Sequence, residues 1–221
     1  AMRIVSYNIK RGFESSITQV ADAIRGLEPD ICLVQEVDRY VSRSGFVDQH
    51  RRLMKRCGFD KGYFFKTKSY NGFGRYGNAL YFNKVSHTKP EIITLSNDAS
   101  GEKRTGFITN IHSDEGQDFV LAGTHLTANR SQAEGQLHKL IDEIQFRISP
   151  ESKFILGGDL NLKPHVLEKY GFKIEDVEFS CGIPARNVRF DYIVGRRIEF
   201  QAHVVHLPGI SDHDPIVADL R

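Results

Sequence analysis

Carboxylate, amide and imidazole side chains recur at the ends of short apolar runs in this sequence. Asp159 and Asn161 follow the run F-I-L-G-G, and Glu36 follows D-I-C-L-V-Q. Because residues i and i+2 of an extended segment point the same way, Asp159 and Asn161 are predicted to face one common space. The other residues of this kind are Asn8, His125, Asp191, Asp212 and His213. Strand ends are where α/β sheets place their chemistry, so these residues are candidates for one active site.

The candidate set is rich in oxygen donors and contains no cysteine, which favours Mg²⁺ or Mn²⁺ over zinc or copper. Together with the histidines, these side chains are suited to hydrolysing a phosphate ester. Taken singly, an Asn or Asp at a strand end is more often a turn or helix cap, and His125 alone is more often a hydrogen-bonded core residue. Asp191 differs, because it stands inside the apolar run V-R-F-D-Y-I-V. A carboxylate there is costly to bury without a histidine or arginine partner.

The elements that must position these residues can be predicted from hydrophobic periodicity. Helices are expected to begin at Ser16, at about Val47 and at Ser131, the last with Glu134 completing a capping box. Segments 66–77, 96–104 and 162–188 have irregular patterns. Buried strands are predicted at Arg3–Ile9, Ile31–Val34, Ala79–Phe82, Phe119–Gly123, Phe154–Gly157 and Phe190–Val194.

Neighbouring strands also form hairpin-like pairs. The pattern pairs Ala79–Phe82 with Glu91–Leu95, and Gly106–His112 with Phe119–Thr124. Strands outnumber helices, so the sequence predicts an α/β protein in which mixed sheets carry helices on the outside.

The composition is that of a soluble protein, with 40% apolar and 26% charged residues among 221. We expect one domain over residues 1–221, no transmembrane segment and a monomer. The three cysteines, Cys32, Cys57 and Cys181, lie far apart in no zinc-binding spacing. They are predicted to be reduced thiols in a cytoplasmic protein; a periplasmic or secreted location is the alternative if a signal peptide has been removed.

Positive charge is concentrated between Arg39 and Arg75. This segment holds ten Lys/Arg against two Asp, a net charge of +8 in a chain whose total is +2. A solvated helix face accounts for part of it, but Lys66, Lys68 and Arg75 lie among aromatic residues in K-T-K-S-Y-N-G-F-G-R-Y-G. Basic residues interleaved with aromatics suit an anionic ligand that carries bases. The pattern therefore indicates nucleic acid as one candidate partner.

The ordered motifs S-Y-N, Q-E-V, T-H-L, G-G-D-L-N, R-F-D-Y-I and S-D-H-D-P-I closely resemble those of the endonuclease/exonuclease/phosphatase superfamily, whose fold is deoxyribonuclease-I-like. The resemblance runs from residue 3 to the C-terminus. It implies a four-layer α/β/β/α sandwich in which two mixed β-sheets pack face to face, with helices outside and the active site at one edge.

The resemblance also implies a role for each motif residue. Mg²⁺ or Mn²⁺ would be held chiefly by Glu36, with Asn8 and Asp212 close by. Asp159 would orient or deprotonate the attacking water, and Asn161 would hold that water or a phosphate oxygen. His213 would donate to the phosphate with its tautomer fixed by Asp191, and His125 would be a second phosphate-contacting histidine. Substrate contacts are predicted for Asn8, Arg39, Arg43 and Asn78; for the two arginines, ion pairs with Asp38 or Asp48 are an equal alternative.

Departures from known branches leave the substrate open. Abasic-site endonucleases have Q-E-T-K where this chain has Q-E-V-D, and the tyrosyl-DNA phosphodiesterase branch has an aromatic where this chain has Asp214. No exposed aromatic hairpin, as in the secreted sphingomyelinases, is apparent. Three hypotheses follow: a metal-dependent phosphodiesterase acting on nucleic acid; a phosphatase or phosphodiesterase acting on a phospholipid, phosphoinositide or small phosphate ester; and a non-catalytic binding module, which the complete set of catalytic residue types disfavours.

Overall fold

Alternation of side chains along the strands sets the layering of this protein. The computed structural model describes residues 2–174 and 189–221. Successive residues Ile4 and Val5 are both fully buried but lie in different hydrophobic clusters, on opposite faces of one sheet. The strands of the described part are β1 Met2–Asn8, β2 Ile31–Arg39, β3 Lys61–Ser69, β4 Arg75–Phe82, β5 Ser86–His87, β6 Glu91–Thr94, β7 Thr105–His112, β8 Phe119–His125, β9 Phe154–Asp159, β10 Asp191–Arg196, β11 Phe200–Val204 and β12 Ile216–Leu220.

Two six-stranded sheets pack face to face, as the resemblance implied. The first has the order β11-β12-β1-β2-β4-β3, and the second has the order β10-β9-β8-β7-β5 with β6 paired to β7. Both sheets are mixed, because β1–β2 and β8–β9 are parallel whereas the other pairs are antiparallel. The carboxyl ends of these two parallel pairs meet at one edge of the sandwich, where Asn8 contacts Asp159.

Helices cover the outer faces of both sheets. The helices of the described residues are α1 Ile17–Leu27, α2 Gln49–Cys57, α3 Arg130–Gln145 and α4 Pro164–Glu168. The first two helices share a core with the first sheet, α3 and α4 share one with the second sheet, and a third core fills the space between the sheets. The predicted four-layer sandwich is therefore confirmed. No helix in the described part of the chain is long and apolar enough to cross a membrane.

The helix starts confirm one predicted cap and correct another. The Ser16 hydroxyl accepts from the Gln19 amide at 3.1 Å, as the capping pattern indicated. The cap of the third helix lies two residues earlier than predicted, at Asn129 rather than Ser131. Asn129 Oδ1 accepts from the Gln132 amide at 3.2 Å, and the Ser131 hydroxyl donates to that same oxygen.

Two predictions about strands were wrong. Most of segment 66–77 is the hairpin of β3 and β4, in which a register shift between Lys66 and Lys68 breaks the alternation that reveals a strand. The strand at Glu91–Thr94 pairs with β7 and not with β4, because it belongs to the second sheet. The predicted pairing of β7 with β8 is confirmed.

The cysteines of the described chain are free thiols. Cys32 is buried, Cys57 is half-buried, and burial raises the pKa of both thiols, that of Cys57 to about 12. Cys181 lies outside the described residues.

The glycine before Asp159 is required by close packing of backbone. Gly158 has φ +133°, and a Cβ built there would lie 1.9 Å from the carbonyl oxygen of Thr124 on β8. We expect Gly158→Ala to lower the free energy of unfolding by about 1–3 kcal/mol from backbone strain, with a further cost for displacing β8. Gly135 on α3 has open space around it, so Gly135→Ala should instead stabilise by up to about 1 kcal/mol. Urea unfolding of both variants measures the difference. A Gly158→Ala protein as stable as its parent would show that β8 and β9 do not require a glycine at this position.

Candidate active site

Asn8 joins the two sheets at the edge where the predicted residues gather. It is the last residue of β1 and is 1% exposed. Its side-chain nitrogen donates to Glu36 Oε2 at 2.5 Å and to Asp159 Oδ2 at 3.0 Å. Its side-chain oxygen accepts from the Lys10 amide at 3.1 Å, which fixes the orientation of the amide group. Asn8 thus holds two carboxylates from opposite sheets close together.

Glu36 reaches this edge because β2 bulges there. The pairing of β2 with β4 jumps from Val34 opposite Ala79 to Val37 opposite Gly77, so two residues of β2 face one residue of β4. Glu36 itself has φ +60°, an uncommon conformation for a non-glycine residue. A bulge re-aims a side chain in this way. The half-buried Glu36 carboxylate is thereby directed to Asn8 rather than lying in the regular pleat of the strand.

Asp159 lies in a crowded anionic environment. It ends β9, is 2% exposed, and lies opposite Asp191 in the antiparallel pairing with β10. Burial and then the neighbouring Asp191 carboxylate raise the pKa of Asp159 to about 8. Its Oδ1 atom is buried and has no hydrogen-bond partner among the described residues. A buried carboxylate oxygen in this state is available to a water molecule or a cation.

Asp191 and His213 form a buried hydrogen-bonded pair. Asp191 Oδ2 lies 2.7 Å from His213 Nδ1, and His213 Nε2 lies 3.9 Å from Asp159 Oδ2. Burial disfavours the imidazolium, but the charge and hydrogen bond of Asp191 outweigh it and raise the pKa of His213 to about 11. At neutral pH the ring is therefore a cation whose Nε2–H is directed toward Asp159. The sequence predicted such a partner for Asp191, and the two residues do meet.

His125 lies on the other side of Asp159 and has the opposite charge state. Its Nε2 is 3.4 Å from Asp159 Oδ2, and it ends β8 directly opposite Asp159 in the parallel pairing. Burial, followed by the positive charges of Arg104 and His213, lowers the pKa of His125 well below its usual range. The site therefore contains one neutral and one cationic imidazole, a donor pair suited to a phosphate group.

Two other predicted residues lie at the rim of this cluster. Asn161 has φ +50°, so the extended geometry predicted from Asp159 through Asn161 does not continue. Its amide instead donates to the carbonyl oxygen of Leu126 at 2.8 Å. Asp212 lies 3.7 Å from the Lys10 ammonium, and the Ser211 hydroxyl lies 3.4 Å from its Oδ1. The roles predicted for both residues remain predictions.

The predicted substrate arginines are both engaged in ion pairs. Arg39 binds both oxygens of Asp48 at 2.8 Å, and Arg43 binds both oxygens of Asp38 at 2.9 and 2.8 Å. The alternative weighed from sequence is thus the arrangement present, although an ion pair does not prevent a guanidinium from using its remaining donors. Asn78 lies on β4 opposite the bulge and is half-buried, close to the Glu36 backbone.

Sequence reasoning missed four residues of this edge. Burial, followed by the charge of the nearby Glu36 carboxylate, raises the pKa of Tyr76. Arg104 is 8% exposed, pairs with Asp98 and Glu102, and donates to the carbonyl oxygen of His125 at 3.4 Å. The Ser211 hydroxyl donates to the carbonyl oxygen of Asn8 at 2.7 Å and accepts from the His213 amide at 3.3 Å. Lys10 supplies a cation beside Asp212. The serine of S-D-H and Tyr76 of the basic, aromatic segment were visible in sequence, although neither was assigned to this edge; no local pattern marked Arg104 or Lys10.

The donor chemistry of this edge fits a hard divalent cation. Asp159, Asp191 and His213 have ligand atoms within 4.8 Å of one another. The raised pKa of His213 favours the doubly protonated ring, and in that form the ring has no free nitrogen for a metal. Oxygen donors remain, and the unpartnered Oδ1 of Asp159 and the nearby Glu36 carboxylate are typical of Mg²⁺ or Mn²⁺ sites. The oxygen of Asn8 accepts from Lys10, so its place in the metal shell stays a prediction.

Comparison with known proteins identifies the fold and the sequence family. The model of the Endonuclease/Exonuclease/phosphatase family matches residues 5–213. A search of the curated proteins found no match. Among solved structures, an endonuclease/exonuclease/phosphatase from Beutenbergia cavernae is 20% identical, with a TM-score of 0.82 over 100% of this chain and 71% of that chain.

Two further structures are similar to this chain. The human Nocturnin catalytic domain with bound sulfate anion is 20% identical, with a TM-score of 0.77 over 100% of this chain and 93% of that one. TDP2 from Caenorhabditis elegans is 23% identical, with a TM-score of 0.74 over 98% of this chain and 73% of that one. These likenesses show the shared four-layer fold.

Proposed function

Because this chain belongs to the endonuclease/exonuclease/phosphatase family, we propose that it is a divalent-metal-dependent phosphodiesterase that cleaves nucleic acid. Members of the family are generally hydrolases of phosphate esters. The observation that carries the proposal is the joining of Glu36, Asn8 and Asp159 beside the Asp191–His213 pair. In-line attack at phosphorus needs a positioned water and neutralisation of charge, and this cluster contains groups for both.

Each residue has a distinct task in this proposal. In its ionised form Asp159 accepts a proton from the attacking water, and Asn161 positions that water or a phosphate oxygen. His213 donates its Nε2–H to the oxygen on which charge grows, while the neutral His125 supplies a second donor. A cation held chiefly by Glu36, with Asn8 and Asp212 close by, would neutralise phosphate charge when bound.

Support for a nucleic-acid substrate comes from charge at the same edge. Part of the net charge of +8 between Arg39 and Arg75 lies on α2, on the outer face of the first sheet. The part that supports the proposal lies at the end of β2 and on the half of the β3–β4 hairpin near Arg75. The hairpin extends past Glu36, since β2 continues to Arg39 and pairs there with Arg75. Lys66 and Lys68 are exposed on this extension. A polyanion leaving the active site would therefore pass basic side chains.

A phospholipid substrate is the second candidate, and one observation favours it. The tip of the hairpin between β3 and β4 carries Phe73, which is 89% exposed, and Phe46, between β2 and α2, is 66% exposed. The expectation that no exposed aromatic hairpin exists was therefore wrong, because the strands that present Phe73 could not be recognised in the polar segment 66–77. Exposed aromatics flanked by basic residues suit a membrane surface as well as nucleobases.

The proposal is tested by hydrolysis of a substrate panel with and without chelator. We expect single-stranded DNA or RNA and bis-p-nitrophenyl phosphate to be cleaved with Mg²⁺ or Mn²⁺, and cleavage to stop in excess chelator. Glu36→Gln should weaken Mg²⁺ binding by at least tenfold in titration calorimetry, because it removes a charged ligand while leaving the fold intact. Glu134→Gln, at an exposed ion pair on α3, is the matched control and should bind Mg²⁺ as the parent does.

Different results would exclude different parts of the proposal. Full hydrolysis in excess chelator would exclude metal dependence. Cleavage of sphingomyelin or phosphoinositide vesicles without cleavage of DNA or RNA would favour the phospholipid candidate. Normal Mg²⁺ affinity in Glu36→Gln would remove Glu36 from the site.

A further inference from the structure

A stack of aromatic and cationic side chains extends outward from Glu36. Tyr76 lies close enough to Glu36 that the Glu36 charge, after burial, raises the pKa of its phenol. The Arg43 guanidinium lies over the Tyr76 ring at 5.2 Å. The Arg43 guanidinium also lies over the ring of Tyr70, at 4.6 Å. The Lys68 ammonium lies 5.1 Å from the Tyr70 ring. We name Tyr76, Arg43 and Tyr70 the aromatic–arginine ladder.

The buried carboxylate of Asp38 fixes the position of Arg43 in the ladder. Both oxygens of Asp38 accept from Arg43, and the Asp38 side chain is fully buried. The Ser44 hydroxyl donates to the same carboxylate at 2.5 Å. These bonds use the Nε and Nη2 groups of Arg43, and no described residue accepts from its Nη1 group. Because the Arg43 side chain is 34% exposed, the edge of a fixed guanidinium with spare donors is open to a ligand.

The ladder lies on the active-site side of the sheet, whereas Arg39 does not. Tyr76 pairs with Asp38 in the register of β2 and β4, one residue away from the pair Arg39–Arg75. Neighbouring residues of a strand point to opposite faces. Arg39 accordingly lies over Phe64, which packs in the core beneath α1 and α2. The structure thus separates two arginines that were equivalent in sequence, and only Arg43 faces the substrate side.

We infer that the aromatic–arginine ladder binds the nucleotide next to the scissile phosphate, with its base unpaired and stacked on Tyr70, the outer ring of the ladder. This inference rests on the proposed phosphodiesterase function and specifies its substrate as single-stranded nucleic acid. A flat aromatic face stacks on any base, and the spare donors of Arg43 with Lys68 suit the adjoining phosphate. A duplex keeps its bases paired and stacked on each other, so they cannot lie on the ladder.

The test compares three phosphodiesters on two ladder variants. Tyr70→Leu removes a ring, and Arg43→Lys keeps the charge but loses the planar fork. We expect each variant to lower kcat/KM on a single-stranded oligonucleotide by roughly 5- to 100-fold, mainly through KM. The loss should be at least fivefold smaller on methyl p-nitrophenyl phosphate, which has no base. The parent enzyme should cleave the oligonucleotide faster than the same strand annealed into a duplex.

A matched control exists on α2. Arg56 also binds an aspartate through two bonds, to Asp22 at 2.8 and 3.1 Å, on an exposed surface. Arg56→Lys should leave both activities unchanged. Thermal unfolding of all variants separates a binding defect from a folding defect.

The outcomes distinguish this inference from the proposed function. If no diester is hydrolysed with Mg²⁺ or Mn²⁺, the proposed function fails, and the ladder is then judged by oligonucleotide binding in fluorescence anisotropy. Equal losses of kcat/KM on the single-stranded oligonucleotide and on methyl p-nitrophenyl phosphate would show that the ladder supports the structure and does not bind a base. Preference for duplex, unchanged oligonucleotide binding in Tyr70→Leu, or loss only of binding to phosphatidylserine vesicles would each overturn it.

Discussion

Replacing His213 with alanine should lower kcat by at least roughly 10²–10³-fold while the fold and metal binding survive. The Nδ1 of His213 is held by Asp191 at 2.7 Å, which leaves Nε2–H to donate toward the phosphate. A donor fixed before the reaction stabilises transition-state charge without a cost of reorganisation. Hydrolysis of bis-p-nitrophenyl phosphate under saturating Mg²⁺ measures the loss, with Mg²⁺ titration and thermal unfolding as checks.

Asp191→Asn should act through His213 and change the pH profile. The parent His213 has a pKa raised to about 11, so it keeps its proton throughout the neutral range. Without the Asp191 charge the folded-state pKa falls toward or below the usual value near 6.5, because burial then dominates. The variant should therefore lose kcat as pH rises above about 6, in a range where the parent shows no loss from this group.

The two substitutions should also be non-additive. Residues that act as one unit lose most of their effect together, so the double variant should be little slower than His213→Ala alone. His138 and Asp142 form an exposed pair at 3.3 Å on α3, and His138→Ala and Asp142→Asn serve as controls. Fully additive losses would show that Asp191 does not act through His213, and a near-normal His213→Ala enzyme would refute the assignment of the site.

Asp159→Asn should lower kcat by roughly 10²–10⁴-fold, the range for loss of a general base. Asparagine has the same shape and can still accept from Asn8, so the local structure should remain. It cannot take a proton from water. Asp118, an exposed carboxylate at the end of the loop before β8, provides the control variant Asp118→Asn, which should retain the activity of the parent.

In the metal-free protein, the stability of Asp159→Asn relative to the parent should increase as pH rises. The folded-state pKa of Asp159 is about 8 and the unfolded value is near 4, so the folded parent binds more protons between these values. Its free energy of unfolding then falls with increasing pH, by at most about 1.4 kcal/mol per pH unit. Asp159→Asn lacks the titrating carboxyl group, so its free energy of unfolding does not include this decrease. Urea unfolding between pH 5 and pH 8 in chelator measures the difference, and a constant gap would show that Asp159 is not held protonated by the fold.

The sequence by itself determined which polar residues would lie at the ends of the buried strands, at one edge of the sandwich. Runs such as F-I-L-G-G identify buried strands through hydrophobicity, and the polar residue that ends each run must lie where the strand leaves the core. A histidine or arginine partner for Asp191 could be predicted from sequence, because a carboxylate in an apolar strand has few stable alternatives; the choice of His213 followed from the resemblance. The four-layer sandwich followed from the resemblance of the ordered motifs.

The tertiary structure decided how those residues are aimed and charged. Glu36 points to Asn8 only because β2 slips by one residue against β4, and Asn161 leaves the strand geometry at φ +50°. His125 and His213 look alike in sequence, yet one is neutral and the other cationic. Their charge states depend on Arg104, Asp191 and the depth of burial.

One physical reason explains why the sequence did not reveal the pairing of β6 or the different positions of Arg39 and Arg43. Local periodicity reports whether a residue is buried, but it does not report which distant groups share its space. Arg39 ends β2 and lies over Phe64, whereas Arg43 lies in the turn after β2 and contacts Tyr76 on the opposite face of the sheet. The strand β6 pairs with β7 of the second sheet. Electrostatic and pairing energies depend on distances between side chains, and the partners of Asp159 lie as far as 151 residues away along the chain. Those distances exist only in the folded protein.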